Sequence, residues 1–192
     1  MPPIQTVAVI VISAILGVGS AWFAVVNEVG FESIREGPWT AWPAAGAAGS
    51  DPYVRARFAR TGELPISAAE GTAFEAREDS LGEELEGACD YLVRGRTPAA
   101  QWWTFTLYRN DDLSLISNPS RRYGFNSTDI LRKPDGSFEI VVSPRARPGN
   151  WLPSDERAGK LRLVFRLYDT PIATGGSVGD IEMPVIERGR CR

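Results

Sequence analysis

The sequence contains no histidine. That removes the commonest general base, the commonest zinc ligand and the usual pH switch at once, and a serine triad has no base to work with. Cysteine is nearly as scarce: Cys89 and Cys191 are too few and too far apart for a thiolate metal site. Lysine occurs only as Lys133 and Lys160, both beside turn residues, where a buried, deprotonated amine is not expected. No charged side chain precedes Glu28. No GxGxxG follows a strand, and there is no GxxxxGK[ST], GxSxG or CxxC. Gly175-Gly176-Ser177 lacks the helix that would make it a phosphate cradle, and no loop has the acidic spacing of a calcium site. These absences lead us to expect no cofactor, no metal and no catalytic residues, and the chain leans away from being an enzyme. A net charge of −3 gives no reason to expect nucleic acid as a partner.

What is present begins with an apolar run. Ile4 to Val26 is almost wholly hydrophobic, and roughly 20 such residues suffice for a helix to cross the hydrocarbon layer. Trp22 and Phe23 near its end suit the headgroup region. The favoured reading is an uncleaved transmembrane anchor over residues 1–27. The alternative is a signal peptide cut near Gly19, Ser20 and Ala21; against it, the run has no basic residue ahead of it and continues past those positions. Charges flanking the run are too few to orient it, Arg35 being the only nearby basic residue. The short N-terminal tail and the cysteines place the remainder outside the cytoplasm.

Residues 28–50, rich in Gly, Ala, Pro and Trp, read as a spacer pinned by Trp39 and Trp42. Residues 51–192 are long enough to bury one core. Asp51, Pro52 and Gly62 are an N-cap, a first-turn proline and a terminating glycine, so a short helix is expected from Pro52 to Thr61. Ser67 and Glu70 suggest a second, smaller capping box. From Thr72 the periodicity becomes that of strands. TAFEARE is expected to form a hairpin with CDYLVRG across the turn Asp79–Gly87. In WWTFTLY, Trp103, Phe105 and Leu107 face one way and Trp102, Thr104, Thr106 and Tyr108 the other. Leu113–Ile116 is expected to pair back. Pro134-Asp135-Gly136 is a turn before a strand at Ser137–Val142. Leu161, Leu163, Phe165 and Leu167 face inward, with Arg162, Val164, Arg166 and Tyr168 opposite. A last strand, Ile181–Ile186, is interrupted by Pro184 and so belongs at an edge. The expected class is mainly β: an antiparallel sandwich or jelly-roll-like domain with one or two short helices, behind one transmembrane helix.

Cys89 begins a strand and Cys191 follows the last one, so a disulfide between them would fasten the tail to the sheet, given an oxidising compartment. Charge is unevenly spread. Glu63 to Glu86 is acidic and Arg94 to Arg166 is basic in excess. Internal pairing in solvated turns explains this simply; an Arg-rich face meeting lipid phosphates or anionic glycans is the sharper reading.

Taken in order, DPYVRARFARTGELP, Glu70, FEAREDSLGEELEG with Tyr91, WWTFTLY, SNPSRRYGFNS, PDGSFEIVVS, NWLP, LRLVFRLYDTP and MPVIE resemble the bacterial domain-of-unknown-function family 1214, from about Asp51 to the end. The resemblance implies a β-sandwich-like domain, often exported and often found with the companion domain of unknown function 1254, which is not evident here. It assigns no activity and no catalytic residues.

Three functions follow as expectations. The first is a non-enzymatic envelope module, held by its helix in the bacterial inner membrane with its domain in the periplasm, binding a protein, lipid or anionic glycan. Its candidate contacts are Trp102, Tyr108, Asn150, Trp151, Arg166 and Tyr168. The second is a carboxylate-dependent enzyme acting on envelope carbohydrate or lipid through Asp111, Asp112, Asp129 and Asp169, which would have to converge in a cleft. The third is a structural subunit of a membrane complex.

Overall fold

The computed structural model describes residues 3–27, 32–67, 69–171 and 182–192. The apolar run forms one helix, α1 (Pro3–Val26), long and apolar enough to cross a membrane. Among the described residues there follow ten strands and one further helix: β1 (Ile34–Glu36), β2 (Trp39–Ala41), α2 (Pro52–Thr61), β3 (Gly71–Ala76), β4 (Cys89–Gly95), β5 (Trp102–Arg109), β6 (Gly124–Asn126), β7 (Phe138–Ser143), β8 (Asn150–Pro153), β9 (Leu161–Tyr168) and β10 (Val185–Cys191). They form a six-stranded sheet, β1-β2-β3-β9-β5-β6, and a four-stranded sheet, β10-β4-β7-β8. All pairings are antiparallel except β7 with β8.

The inward alternation of β5 and β9 fills the space between the sheets. Phe165 lies at the centre, its ring 5.3 Å from Trp103, 5.7 Å from Phe105 and 6.1 Å from Trp39. Trp103 stacks at 5.8 Å on Phe138 of the other sheet, which makes the two sheets one sandwich. Such aromatic pairs contribute about 0.5–1.5 kcal/mol each beyond the area they bury. The polar tips are satisfied: Trp39 donates its indole N–H to the Pro184 carbonyl at 2.7 Å, and the Tyr91 hydroxyl accepts from the Glu86 N–H at 2.7 Å.

Five expectations need correction. Residues 34–41 are not spacer: β1 and β2 extend the six-stranded sheet, and Trp39 is fully buried. β3 and β4 are not a hairpin. β3 lies between β2 and β9, while β4 lies between β10 and β7, so the Asp79–Gly87 turn carries the chain from one sheet to the other. Ser67 caps no helix; its carbonyl accepts from Glu70 and Gly71 in a turn that leads into β3. The segment after the Asn110 turn returns only through the single bridge of Tyr108 with Leu115. The final strand begins after Pro184 rather than before it and is an edge strand, as the proline implies; Ile181 lies outside the described residues, as does the loop Gly175-Gly176-Ser177.

Cys191 stands directly opposite Cys89 in the β10–β4 ladder, and the two form a disulfide with Cα atoms 3.9 Å apart. Helix α2 starts and stops where its caps dictate. The Asp51 carboxylate accepts from the Tyr53 N–H at 2.8 Å, and Gly62, at φ 70°, returns its N–H to the Phe58 carbonyl. The helix buries Val54 and Arg57.

Candidate functional site

The outer face of the six-stranded sheet is not simply solvated. On β9 the outward residues run Arg162, Val164, Arg166, Tyr168; they stand opposite Tyr108, Thr106, Thr104 and Trp102 of β5. Arg162 and Val164 are nonetheless buried. Their cover is α2 and the segment Gly62–Ile66, docked on this face by ion pairs. Arg57 of α2 reaches Glu75 of β3 at 2.8 Å, and Arg162 reaches Glu63 at 2.7 Å and Glu75 at 3.4 Å. Arg162 also donates to Asn110 at 3.1 Å, and the Arg57 guanidinium lies 4.0 Å from the centre of the Trp42 ring. Removing one partner from such a buried cluster costs far more than forming it gains, because the other charges stay behind.

Burial pushes the Glu75 carboxyl up from its ordinary value; Arg57 pulls it back, the nearby Glu63 adds to the rise, and Arg162 and Arg77 oppose it. Burial likewise pulls Arg162 down, against Glu75 and Glu63. Glu75 is therefore tied into a structural lock rather than placed as a free acid.

Beside this lock, between α2 and the sheet, lies a cleft of about 340 Å³, within the size range of small-ligand sites. Its walls are mixed: Trp42, Phe58, Leu64, Ile66, Leu113 and Val164 are apolar, while Thr61, Glu63, Thr72, Asp112 and Arg162 are polar or charged. Leu64 is 94% exposed, which leaves an apolar residue at the rim instead of a polar one. Two glycines permit the close packing that shapes the cleft. A Cβ on Gly71 would sit 2.1 Å from the Leu167 carbonyl oxygen, and one on Gly46 would sit 2.3 Å from that of Ile66. Arg166 and Tyr108 supply polar groups on the sheet side; the Arg166 guanidinium donates to the Tyr108 hydroxyl at 3.3 Å and lies 5.6 Å from its ring centre. Leu113 holds a left-handed backbone, φ 55°, which costs a leucine about 1–2 kcal/mol.

The six contacts anticipated from sequence thus divide. Tyr108 and Arg166 meet in the cleft. Trp102 and Tyr168 stand opposite each other further along the same face. Asn150 and Trp151 belong to the other sheet: the buried Asn150 amide binds the backbone of Leu131 and Glu139, and the Trp151 indole donates to the Ser143 carbonyl at 2.9 Å. The buried ion-pair cluster beside the cleft, Arg57, Glu63, Glu75 and Arg162, was not anticipated. One signal for them was Val164, an apolar residue in a row otherwise polar or aromatic, which implies a covered face. Asp111, Asp112, Asp129 and Asp169 do not converge. All four are exposed, on three separate turns, where Asp112 binds Ser114 and Asp129 accepts from the Asn126 N–H. The carboxylate pair required for glycan chemistry is not formed by them. The acidic and basic stretches meet at Lys160, which pairs with Glu84, and at Arg162, which pairs with Glu63 and Glu75; other members pair elsewhere, as Asp79 does with Arg188 and Arg147 with Asp90.

Fold and site together define a two-sheet β domain with an amphipathic cleft under a capping helix, preceded by an apolar helix of spanning length. The chain belongs to the family described as Protein of unknown function (DUF1214), whose sequence pattern matches residues 70–172. That stretch includes β3 through β9, hence the sheet wall of the cleft but not α2. The solved structure of the VPA0106 protein from Vibrio parahaemolyticus is similar, with a TM-score of 0.60 and 24% identity, over 74% of this chain and 36% of that one. A structure of an uncharacterised protein from Burkholderia cenocepacia aligns more loosely, with a TM-score of 0.41 and 17% identity, over 93% of this chain and 52% of the other. The chain therefore spans about a third to a half of the length of these relatives. No curated protein is significantly similar to it.

Proposed function

We propose that this protein is a membrane-tethered binding module without enzymatic activity, and that its cleft holds a lipid-like ligand. The observation that carries the reading is the cleft itself: an amphipathic cleft that sets a strip of apolar side chains beside the polar pair Arg166 and Tyr108, with an exposed leucine at its rim. A site that binds without reacting needs no more than this. The helix α1 supports attachment to a membrane, and the disulfide supports a domain on the oxidising side, which in a bacterium is the periplasmic face of the inner membrane.

The test is purification of the full chain in mild detergent, followed by organic extraction and mass spectrometry. A lipid-like molecule should co-purify near equimolar amounts and be lost from Ala73→Phe, which fills the cleft from β3. A stoichiometric protein partner with no extractable ligand would replace this reading with that of a structural subunit.

A further inference from the structure

The charges around the cleft specify what its occupant should carry. Arg57 and Arg162 face Glu63 and Glu75, and the partly exposed Arg77 lies 3.6 Å from Glu75, so both carboxylates of the lock already have arginine partners. Asp112, at the edge of the cleft, is exposed and lies 3.8 Å from Arg109 while accepting from Ser114. Arg166 differs. It is half-buried, it lines the cleft, and among the described residues it has no carboxylate within ion-pair distance; its one hydrogen bond uses a single guanidinium nitrogen on a neutral phenol. A guanidinium presents five N–H donors in a planar fork that matches the oxygens of a carboxylate or phosphate. The Tyr108 hydroxyl beside it can donate to the same oxygens once it turns its proton toward them.

Apart from the charged lock and Asp112, the cleft offers an apolar strip beside this pair: Val164 on the sheet, then Leu113, Leu64 and Ile66. Leu113 occupies a left-handed position that Asn or Gly would hold at lower cost. An apolar side chain kept there contributes wall to the cleft. About 340 Å³ accommodates one acyl chain and excludes a two-chain lipid from lying wholly inside.

Building on the binding reading above, we infer that the ligand is a single-chain amphiphile with one anionic headgroup, its carboxylate or phosphate oxygens on Arg166 and Tyr108 and its chain along Val164, Leu113 and Leu64.

The full chain in nanodiscs of zwitterionic lipid can be titrated with bromine-labelled dodecanoate, dodecyl phosphate and dodecanol, reading quenching of Trp42 in the cleft wall against a Trp42→Phe control. Dodecanoate and dodecyl phosphate should quench saturably, and dodecanol should bind about tenfold more weakly or worse. Arg166→Gln should abolish that preference, Arg166→Lys should keep part of it, and Tyr108→Phe, which preserves the ring packing, should reduce it by a few-fold. If dodecanol binds as well as the two anions, or if Arg166→Gln leaves the preference intact, the headgroup assignment falls while the cleft remains a binding site. If no probe quenches saturably, or all bind Ala73→Phe unchanged, the cleft reading falls with it. The stronger of the two anions separates a fatty-acid type of ligand from a phosphate-headed one.

Discussion

The Asn150 side chain does the work of a short strand. Its oxygen accepts from the Leu131 N–H, and its nitrogen donates to the Leu131 and Glu139 carbonyls, each at 2.8 Å. Asn150→Ala strands these groups in a mostly buried setting, and urea denaturation should show a loss of about 2–3 kcal/mol. Asp79 and Asp90 set the acid limit of stability. Burial pushes both carboxyls up, but for Asp79 the backbone N–H groups of Glu83 and Leu81 with Arg188 outweigh it, and for Asp90 Ser143, Arg147 and Arg192 do so. Both therefore titrate below their usual 3.8. Their stabilisation is complete above that value and is lost as pH falls through the lower, folded-state values. The urea midpoint should drop below pH 4, and Asp79→Asn should lower it at pH 7 while flattening its fall in acid. At this scale the sequence was half legible. The alternation of β9 identified every inward residue. It could not show that Arg162 is buried, because that burial is imposed by α2, about a hundred residues earlier in the chain.

Helix α2 was legible to the residue, since its signals are local: an aspartate, a proline and a glycine at fixed positions. Gly62→Ala should cost about 1 kcal/mol, because the cap needs a left-handed backbone. Leu113→Asn should do the reverse and stabilise the domain by about 0.5 kcal/mol, since asparagine tolerates that conformation better; thermal melts should show the gain together with weaker binding of dodecanoate. The strand partners of β3 were not legible. The turn chemistry between Asp79 and Gly87 is real, yet a turn signal states only that the chain reverses. The choice between joining β9 and joining β4 depends on which apolar faces meet, and β9 lies some ninety residues further on. That Trp39 pins its segment was legible, but its place in a strand was not: a three-residue strand is too short for its alternation to register, so its place in the sheet emerges only from the assembled fold.

For the molecule as a whole, the order of motifs fixed the class and the family, while the cleft emerged only when α2 was set against the six-stranded sheet. Mass spectrometry of the membrane-extracted protein should find the complete α1 segment; a mature N-terminus near Trp22 would show that it is removed. The bridge between Cys89 and Cys191 joins positions 102 residues apart. Replacing both cysteines by alanine should lower stability by at most about 4–5 kcal/mol on the loop-entropy model. The same bond turns β4 to β10 into a covalent ring carried on the membrane stem. A protease that cuts once anywhere inside that ring opens it without detaching anything: the portion beyond the cut remains bonded through Cys191 to Cys89, and through Cys89 to the stem. Shedding this domain into the surrounding fluid by a cut within the ring therefore takes two events, a nick and a reduction. After limited proteolysis, such singly nicked protein should run as one band on a non-reducing gel and as two once dithiothreitol is added.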